Sequence, residues 1–394
     1  MSELGKTDNA PPIWLLGLVG SVSPFAMTIV IPLLPMIGLL FDETPARLQY
    51  LASAYIFGLA IAQPFAGILS DRIGRRPILL SGLIIFVLAS VGLAICVHFE
   101  TMVFLRFVQA IGISVGTVVA RAVARDLLEG EQLLRAFSFM SASLGTAPIL
   151  APIFGGLTGY YLGYQGVYLV TTLIGLTIFY WSWQSIPETG DSSDNEKNTR
   201  DNIFMLIKSR RFIGYTGIFG FLQATFLSFV SIGAAVFDDY FGIGQIGFGI
   251  IWGLMACAYV SGSVLLNGLA KRFGSVNLTQ YCVTTLLGFG WLAFFIQSQL
   301  GITIFTVLIP LTGLMLVSGV LTPIAMLGAV EIFPRISGTA SGFSSSCGLM
   351  IGGIFSVISG SVYELGYIYV ALVCAIATSF VALSWLFVRS SDPK

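Results

Sequence analysis

Hydrophobic residues in this chain occur in long runs, and short polar breaks separate the runs. A transmembrane helix needs ~20 mainly apolar residues to cross the hydrocarbon core of a bilayer. By this criterion the pattern predicts twelve transmembrane spans, numbered in chain order. Their predicted ranges are 13–41, 48–70, 77–97, 101–120, 133–160, 166–186, 212–237, 246–270, 276–297, 301–330, 337–363 and 366–388. The pattern therefore predicts an all-α membrane protein.

Composition and charge support this class and give the spans an orientation. Hydrophobic residues make up 56% of the 394 residues, and the mean hydropathy is +0.91, which leaves too little polar surface for a soluble globule. With both termini in the cytoplasm, seventeen of the nineteen Lys and Arg fall in cytoplasmic breaks, Arg121 among them. The positive-inside rule therefore predicts a multi-pass protein with both termini cytoplasmic. Since the basic breaks serve as topology signals, no nucleic-acid partner is expected.

An internal repeat divides the twelve spans into six and six. The longest polar stretch, PETGDSSDNEKNTRDN at 187–202, lies between the sixth and seventh spans and is typical of a flexible linker. GILSDRIG at 67–74 returns as NGLAKRFG at 267–274, in the matching break of the second half. We therefore predict a six-helix bundle at 1–186, a cytoplasmic linker at 187–209 and a second bundle at 210–394. Duplicated bundles around a central cavity are typical of a transporter, and a scaffold that moves nothing is the alternative.

Four stretches resemble the signatures of a transporter family. GILSDRIGRRP at 67–77 resembles the loop signature of the major facilitator superfamily. RFVQAIGISVGTVVARAVARDL at 106–127, APILAPIFGG at 147–156 and FPRISGTASGF at 333–343 resemble signatures of its Bcr/CflA drug-efflux branch. The resemblance implies the major facilitator fold, with two pseudo-symmetric six-helix bundles. It also implies a monomeric drug:H+ antiporter of a bacterial inner membrane, with no cofactor and with a proton gradient as the energy source.

The loop signature has a physical explanation in helix contacts. Asp71, at the cytoplasmic end of span 2, can place a negative charge at the N-terminus of another helix, where free N–H groups and the macrodipole favour an anion. Gly67 has no side chain and lets a neighbouring helix approach closely. The resemblance implies that the partner is span 11, for which Ser337 is the predicted N-cap. In the second half Lys271 replaces the acid, so the repeat cannot make the same contact.

The same resemblance implies a conformational latch at this cytoplasmic end. Arg75 is expected to reach both Asp71 and Asp126, below span 4, and to hold the two halves together while the cavity faces outward. In the alternative, the loop charges only enforce topology, which explains Arg72 and Arg76 but not an Asp in the same place. The predicted latch residues are Gly67, Asp71, Arg72, Gly74, Arg75, Asp126 and Ser337.

Arg106 is the one charge that the pattern places clearly within a span. Burial of a lone guanidinium is costly, so the side chain must face the bundle interior or water and find partners. Gln63 and Gln109 are the expected partners. The alternative is that Arg106 extends to the outer interface beside Glu100.

Span 5 carries two prolines and a glycine pair. Pro148 and Pro152 lack a backbone donor, and Gly155 and Gly156 lack side chains, which predicts a kinked helix that packs closely. The resemblance identifies this stretch as the antiporter motif, which seals the cavity against leak. An ordinary packing kink is the alternative.

The proton site is where the sequence departs from the family. The resemblance implies an Asp four residues before the proline of helix 1, but TIVIP places Thr28 there, and Thr28 cannot carry a proton. No Asp or Glu lies near the middle of any predicted span. Asp238 and Asp239, at an outer end, are the candidate proton sites, and transport without coupling is the alternative.

Helix identity predicts the lining of the cavity, because helices 1, 4, 7 and 10 face the centre in the superfamily that the chain resembles. The predicted cavity and substrate residues are Met27, Thr28, Ile31, Gln63, Arg106, Gln109, Ile113, Gln223, Phe226 and Phe229. Met, Phe and Ile side chains adapt to many shapes and suit a lipophilic small-molecule substrate.

Other signals do not support a second kind of function. GIGQIG at 242–247 matches a dinucleotide fingerprint, but no strand precedes it. A single histidine, His98, and five irregularly spaced cysteines predict neither a metal site nor a disulfide framework. The leading hypothesis is a secondary transporter that exports lipophilic small molecules by alternating access, coupled to proton entry. An uncoupled facilitator, or an uptake transporter for another solute, is the first alternative. A membrane enzyme or sensor is the second, although no catalytic constellation or appended domain supports it.

Overall fold

The fold is helical throughout the described part of the chain. A computed structural model describes residues 11–43, 45–190, 199–230, 232–243, 245–363 and 365–390, and no β-strand occurs in these ranges. The helices are α1 Ile13–Thr28, α2 Leu34–Phe41, α3 Pro45–Ile73, α4 Arg75–Ile95, α5 Phe99–Leu127, α6 Gly130–Ser185, α7 Thr199–Lys208, α8 Arg210–Val230, α9 Gly233–Phe241, α10 Gln245–Phe273, α11 Ser275–Leu300, α12 Ile304–Glu331, α13 Ser337–Tyr363 and α14 Tyr367–Arg389. Two 3₁₀ turns cover Ile31–Leu33 and Pro334–Ile336.

Within the described ranges, eleven helices are long and apolar enough to cross a membrane. The number is eleven because predicted spans 5 and 6 both lie in α6, which has 56 residues. At 1.5 Å per residue a straight helix of that size would be ~84 Å long, more than twice the thickness of the hydrocarbon core. Gly163 (φ 66°, ψ −173°) has non-helical dihedrals and separates the two spans. The all-α membrane fold predicted from the sequence is confirmed.

Predicted span 1 is not one continuous helix. α1 ends at Thr28, the 3₁₀ turn Ile31–Leu33 follows, and α2 begins at Leu34. Pro32, inside the turn, has no N–H to donate to a carbonyl one turn earlier, which accounts for part of the interruption. Predicted span 7 contains α8, which extends to Val230, and α9, which begins at Gly233, while residue 231 lies outside the described part of the chain.

Residue contacts divide the chain into two compact units. The first comprises Met1–Ala136, Ser143–Thr199 and Phe333–Ser346, and in it α5 packs against α1, α3 and α4. The second comprises Phe137–Ala142, Arg200–Ile332 and Cys347–Lys394, and in it α14 packs against α8 and α11, while α12 packs against α8, α10 and α11. The predicted linker at 187–209 contains helix α7, and its residues 191–198 lie outside the described part. The division into bundles at 1–186 and 210–394 stays a prediction.

Candidate functional site

Asp71 lies at the end of α3 and contacts the first turn of α13. Its side chain is buried, with 5% exposure. Asp71 Oδ1 accepts a hydrogen bond from the backbone N–H of Gly338 at 3.0 Å, and Oδ2 accepts one from the N–H of Thr339 at 2.5 Å. The Thr339 hydroxyl also donates to Oδ2. Since the first N–H groups of a helix have no intrahelical acceptor, the Asp71 carboxylate satisfies the N-terminus of α13 and complements its dipole.

Arg75 joins this carboxylate to a second one. Its Nη1 donates to Asp71 Oδ1 and, at 3.0 Å, to the Ser70 hydroxyl. Its Nε donates to Asp126 Oδ2 at 3.1 Å, and Nη2 donates to the Ser337 hydroxyl at 2.8 Å. Arg75 is 3% exposed, and two carboxylates with full hydrogen bonding offset the cost of burying its charge. Arg72, by contrast, is exposed.

The N-cap prediction for Ser337 is wrong. Its dihedrals are helical (φ −60°, ψ −34°), and the 3₁₀ turn Pro334–Ile336 leads directly into it. An N-cap residue has non-helical dihedrals and accepts a bond from its own helix. The Ser337 hydroxyl instead accepts from Arg75 and donates to Asp126 Oδ1 at 3.3 Å. Asp71 serves as the capping group because the 3₁₀ turn already occupies the usual cap position.

Glycines allow α3 and α13 to pack backbone against backbone. A Cβ atom on Gly67 would overlap the carbonyl of Gly338, and a Cβ on Gly342 would overlap the carbonyl of Gln63. Gly338 and Gly342 are four residues apart and lie on one face of α13, as in other small-residue helix contacts. Only glycine at these positions permits the approach that brings the Asp71 carboxylate to the N-terminus of α13.

Glu188 and Thr189 also belong to the cluster of Asp71, Arg75 and Asp126. The sequence pattern placed both residues in the linker and did not predict these contacts. Glu188 Oε1 accepts a hydrogen bond from the backbone N–H of Arg75 at 2.8 Å, so it satisfies the N-terminus of α4. The Thr189 hydroxyl donates to Asp126 Oδ2 at 2.9 Å. Gly74 (φ 119°) leaves room for Glu188, since a Cβ there would overlap the carboxylate. The only feature of the sequence that points to this contact is an acidic residue shortly after the sixth span.

Arg106 is buried near the N-terminal end of α5, and its 1% exposure excludes a side chain that extends to the membrane interface. Its Nη1 donates to the Ala26 carbonyl at 3.1 Å and to Gln109 Oε1 at 2.7 Å, and Nη2 donates to the Met27 carbonyl at 3.5 Å. The guanidinium also lies 4.3 Å from the centre of the Tyr55 ring. The carbonyls of Ala26 and Met27 are in the last turn of α1, where helical acceptors lack partners and a cation is favourable.

Of the two predicted partners of Arg106, one is correct. Gln109 Oε1 accepts a hydrogen bond from Arg106, and Gln109 Nε2 donates one to the Ser90 hydroxyl at 2.7 Å. Gln63 is not a partner: its side chain is buried, and Oε1 has no hydrogen bond. The prediction for Gln63 is wrong: the Arg106 Nη donors bind the α1 carbonyls and Gln109, and both Arg106 Nε and Gln63 Oε1 are left without a hydrogen bond.

A small cleft of ~10 Å³, about the room for one water molecule, lies beside Arg106 at the interruption of span 1. Its wall is apolar except for the guanidinium, and it is lined by Met27, Val30, Ile31, Leu34, Leu51, Ala52 and Arg106. Met27 and Thr28 are half-buried, whereas Ile31 is exposed. The Thr28 hydroxyl donates to the Pro24 carbonyl at 2.9 Å, within its own helix.

The other predicted cavity residues divide into two groups. Ile113 is 0% exposed and Phe229 is 1% exposed, so neither presents surface to a ligand in this structure. The Phe229 ring stacks on the Trp252 ring, with the ring centres 6.2 Å apart. Gln223 and Phe226 are half-buried in α8, and the Phe226 ring lies 5.6 Å from the Trp252 ring.

The motif of span 5 contacts the interruption of span 1. A Cβ on Gly155 would overlap the carbonyl of Ile29, whereas the nearest atom to a Cβ on Gly156 is the Pro32 Cβ, at 3.9 Å. Helical dihedrals continue through Pro148 and Pro152, so the helix is not interrupted there, and the kink stays a prediction. The close packing predicted for span 5 is therefore confirmed at Gly155.

Arg121 is a buried cation that the sequence analysis placed in a cytoplasmic break. That assignment is wrong, because α5 continues to Leu127 and leaves Arg121 only 4% exposed. Its Nε donates to the Thr117 carbonyl at 2.8 Å, Nη2 donates to the Ser345 hydroxyl, and Nη1 has no acceptor. The apolar residues on both sides of Arg121 were the available signal.

The candidate proton sites are only partly described. Asp239 is exposed and accepts a hydrogen bond from the Tyr363 hydroxyl at 2.5 Å. Asp238 lies in α9, and its side chain is outside the described residues. Their role in proton transfer stays a prediction. Within the described residues, no group of three or more His, Cys, Asp or Glu could hold a metal ion.

Comparisons with known proteins agree with the all-α membrane fold. The family model described as Major Facilitator Superfamily matches residues 16–356. The chain is 26% identical to Multidrug resistance protein D of Escherichia coli K12, covering 96% of this chain and 95% of that protein. It is also 26% identical to a bicyclomycin resistance protein homolog of Haemophilus influenzae, with coverages of 89% and 88%. Among solved structures, the proton:xylose symporter XylE aligns with a TM-score of 0.78 at 12% identity, covering 97% of this chain and 95% of that one.

Proposed function

Because this chain belongs to the Major Facilitator Superfamily, we propose that it exports lipophilic small molecules from a bacterium by alternating access across the inner membrane. It is a multi-pass membrane protein of a transporter family, and its resemblance to the drug-efflux branch is confirmed by relatives named for resistance to drugs. Drug export is proposed here from those names. In the proposal the chain acts as a monomer with both termini in the cytoplasm.

The observation that carries the proposal is the buried cluster of Asp71, Arg75 and Asp126 at the start of α13. The cluster joins the ends of four helices, α3, α4, α5 and α13, through charged hydrogen bonds. Water can replace each of these bonds when the helix ends separate, so the contact is reversible in a way that an apolar core is not. We therefore assign the cluster as a latch that is closed in one state of the transport cycle and open in the other.

Export is tested by drug accumulation in an efflux-deficient bacterium. Cells that produce the full chain should accumulate less bicyclomycin than cells that produce an equal amount of the Asp71→Asn variant. Membrane fractions checked by immunoblot control for protein amount. Equal accumulation with wild type, variant and empty vector, for bicyclomycin and for a panel of lipophilic drugs, would exclude export.

Coupling to proton entry is the form of transport that the family resemblance favours. In proteoliposomes with an imposed pH gradient, addition of substrate should then move protons in the wild type. The double variant Asp238→Asn/Asp239→Asn should lose this movement if the outer acids carry the proton. Retention of proton movement in the double variant would exclude them as the carriers.

An uncoupled facilitator is the second candidate, and Thr28 favours it. The Thr28 hydroxyl donates to a backbone carbonyl at the position where the family carries an acid, so no titratable group is present there. Substrate flux without any proton movement in wild-type proteoliposomes would support the facilitator and exclude antiport.

A further inference from the structure

A short helix with exposed apolar side chains lies directly before α8. This helix, α7 (Thr199–Lys208), has 10 residues, which is too few to cross a bilayer, and the single residue Ser209 separates it from α8. Phe204 is 65% exposed and Ile207 is 61% exposed, whereas Leu206 is 0% exposed. The helix is therefore attached to the protein through one side and presents large apolar side chains on another.

Helical spacing explains why the side chains of α7 differ in exposure. Residues three and four positions apart lie on the same side of a helix, so Ile203 and Leu206 share one side, and Phe204 and Ile207 share the adjacent one. Ile203 is half-buried and Leu206 is buried, which identifies the first side as the one packed on the protein. Lys208 follows Phe204 by four residues, and its Nζ lies 5.9 Å from the centre of the Phe204 ring. A lysine placed in this way covers an apolar side chain with its stem and keeps its charge at the boundary with water.

The junction with α8 fixes where the apolar side of α7 lies. The backbone N–H of Ser209 donates to the carbonyls of Met205 and Leu206, both at 3.2 Å, and continues the hydrogen bonding of α7. The Ser209 hydroxyl accepts a hydrogen bond from the backbone N–H of Phe212 at 3.3 Å and so caps the N-terminus of α8. The helix that follows is apolar enough over Arg210–Phe229 to cross a membrane. Because one capped residue joins the two helices, α7 lies at the boundary where α8 enters the bilayer.

The charges beside this apolar side are basic. Lys208, Arg210 and Arg211 are exposed, and residues 203–213 contain no Asp or Glu. Basic residues beside an amphipathic helix are attracted to anionic headgroups, and each Lys or Arg near such a surface raises the affinity roughly fivefold. A neutral headgroup gives no comparable gain. The charge and the apolar side together match an anionic lipid surface.

We propose that α7 is an interfacial anchor that binds anionic phospholipids in the leaflet at which α8 begins, which the positive-inside rule predicts to be the cytoplasmic one. Phe204 and Ile207 lie among the upper acyl chains, and Lys208 and Arg210 bind the lipid phosphates. A helix with an apolar side and a basic border lies in the plane of the membrane in this way. The anchor fixes the depth of the N-terminus of α8, because Ser209 caps that helix. The proposal does not depend on the substrate or the direction of transport.

A second copy of the chain, or another protein, is the competing occupant of this apolar side. The membrane is favoured because the junction with α8 places α7 at the bilayer surface in every copy, whereas a protein partner must be brought there. The apolar side is also small. Stable protein interfaces bury ~1,200–2,000 Å², and one fully buried aromatic side chain such as Phe204 contributes only ~150–250 Å².

The first test measures the depth of α7 with a fluorescent label on the full chain. Ile207→Cys and Ser275→Cys are each made together with Cys257→Ser, labelled with bimane and placed in nanodiscs that contain phosphatidylglycerol. Ser275 is the matched control, because it is exposed at the start of another spanning helix, α11. Lipids with a nitroxide on the upper acyl chain should quench the label at position 207 several-fold more than iodide does, and the label at position 275 should show the reverse.

Two results would overturn the location of α7 in the interface. Quenching by iodide at position 207 to the extent seen at position 275 would place the apolar side in water. Protection of position 207 from both quenchers would mean that protein covers it, and gel filtration would then show whether the cover is a second copy of the chain. The Cys257→Ser chain without a further change sets the background from the other cysteines.

The second test asks whether the bound lipid is anionic. The full chain is purified with equal amounts of phosphatidylglycerol and phosphatidylcholine, and native mass spectrometry counts the lipids that remain bound. The wild type should retain an excess of phosphatidylglycerol, and Lys208→Gln/Arg210→Gln should lower its affinity for this lipid roughly 25-fold if each charge contributes fivefold. Lys271→Gln/Arg272→Gln removes the same charge from the end of α10, where no short helix follows, and should keep the excess.

The outcomes of this second test separate a site on α7 from general attraction. Equal retention of both lipids by the wild type would overturn the proposal, and so would an equal loss in the two double variants. Gel filtration and thermal melts check that each variant is folded. Phe204→Gln leaves the net charge unchanged and should reduce the quenching of the label at position 207 by nitroxide lipids. Unchanged quenching in folded Phe204→Gln would overturn the insertion of this side chain among the acyl chains.

Discussion

Asp71 accepts two hydrogen bonds from Thr339, one from the backbone N–H and one from the hydroxyl. The two residues are 268 positions apart in the chain and come from different helices, the end of α3 and the first turn of α13. An acid at the end of one helix thus caps another helix whose own residues leave its first N–H groups free. Because both residues are buried, this pair couples the position of α13 to a charge on α3.

Asp71→Asn should weaken this contact strongly. The amide of Asn would direct a donor at N–H groups or at Arg75, and Arg75 would keep only one of its two carboxylates. Removal of one partner from a buried ion pair costs ~3–5 kcal/mol, so thermal melts in detergent should shift downward and substrate flux should fall. Lys271→Gln, at the matching exposed position of the repeat, is the control and should change neither measurement. Unchanged melting and flux in Asp71→Asn would contradict the latch.

Gly67→Ala should separate α3 from α13. The added methyl group would overlap the carbonyl of Gly338, and relief of such overlap costs about 1–3 kcal/mol. Flux should fall because the Asp71 carboxylate no longer reaches the first turn of α13. Gly268→Ala is a matched control, since a Cβ on this glycine of α10 meets no atom within 4 Å. A similar loss of flux in both variants would point to a general effect of alanine instead.

Gly155→Ala and Gly156→Ala test the contact between spans 5 and 1 with two neighbouring glycines. The first substitution overlaps the carbonyl of Ile29, whereas the second meets its nearest atom at an ordinary 3.9 Å. We expect Gly155→Ala to lower both the melting temperature and the flux, and Gly156→Ala to retain wild-type values. Equal behaviour of the pair would show that close packing of Gly155 on span 1 does not matter for transport.

Thr189→Val tests whether the residues after the sixth span take part in the latch. The change removes the hydroxyl that donates to Asp126 and keeps the shape of the side chain, so it should cost about 1 kcal/mol and alter flux. Thr177→Val removes a hydroxyl that bonds only within α6, at an exposed position, and serves as control. If hydrogen exchange of the first turn of α13 increases in Thr189→Val but not in Thr177→Val, the linker residue acts through the cluster. Identical hydrogen exchange in the two variants would show that the Thr189 hydroxyl does not stabilise the first turn of α13.

The partners of Arg75 were predicted correctly from the sequence, whereas the burial of Arg121 was not. A charged group in a break between apolar runs had to find partners, and the family resemblance named Asp71 and Asp126 for Arg75. Arg121 lies in the stretch 106–127 that resembles a family signature, but no partner was predicted for it, and it was counted as a loop charge. Its burial depends on where α5 ends and on the position of α13 beside it, which are properties of the packed helices.

The sequence by itself determined that this is a helical membrane protein with about twelve spans and a charged motif in the break between spans 2 and 3. Apolar run length is sufficient for this because each membrane helix satisfies its backbone hydrogen bonds internally, so local composition decides the spans. Only the tertiary structure decided that span 1 is interrupted after Thr28, that Arg106 binds the carbonyls exposed there, and that Glu188 caps α4. These contacts join residues from distant parts of the chain. Which partner a buried polar group finds depends on the helices packed around it, and no local pattern of residues specifies that.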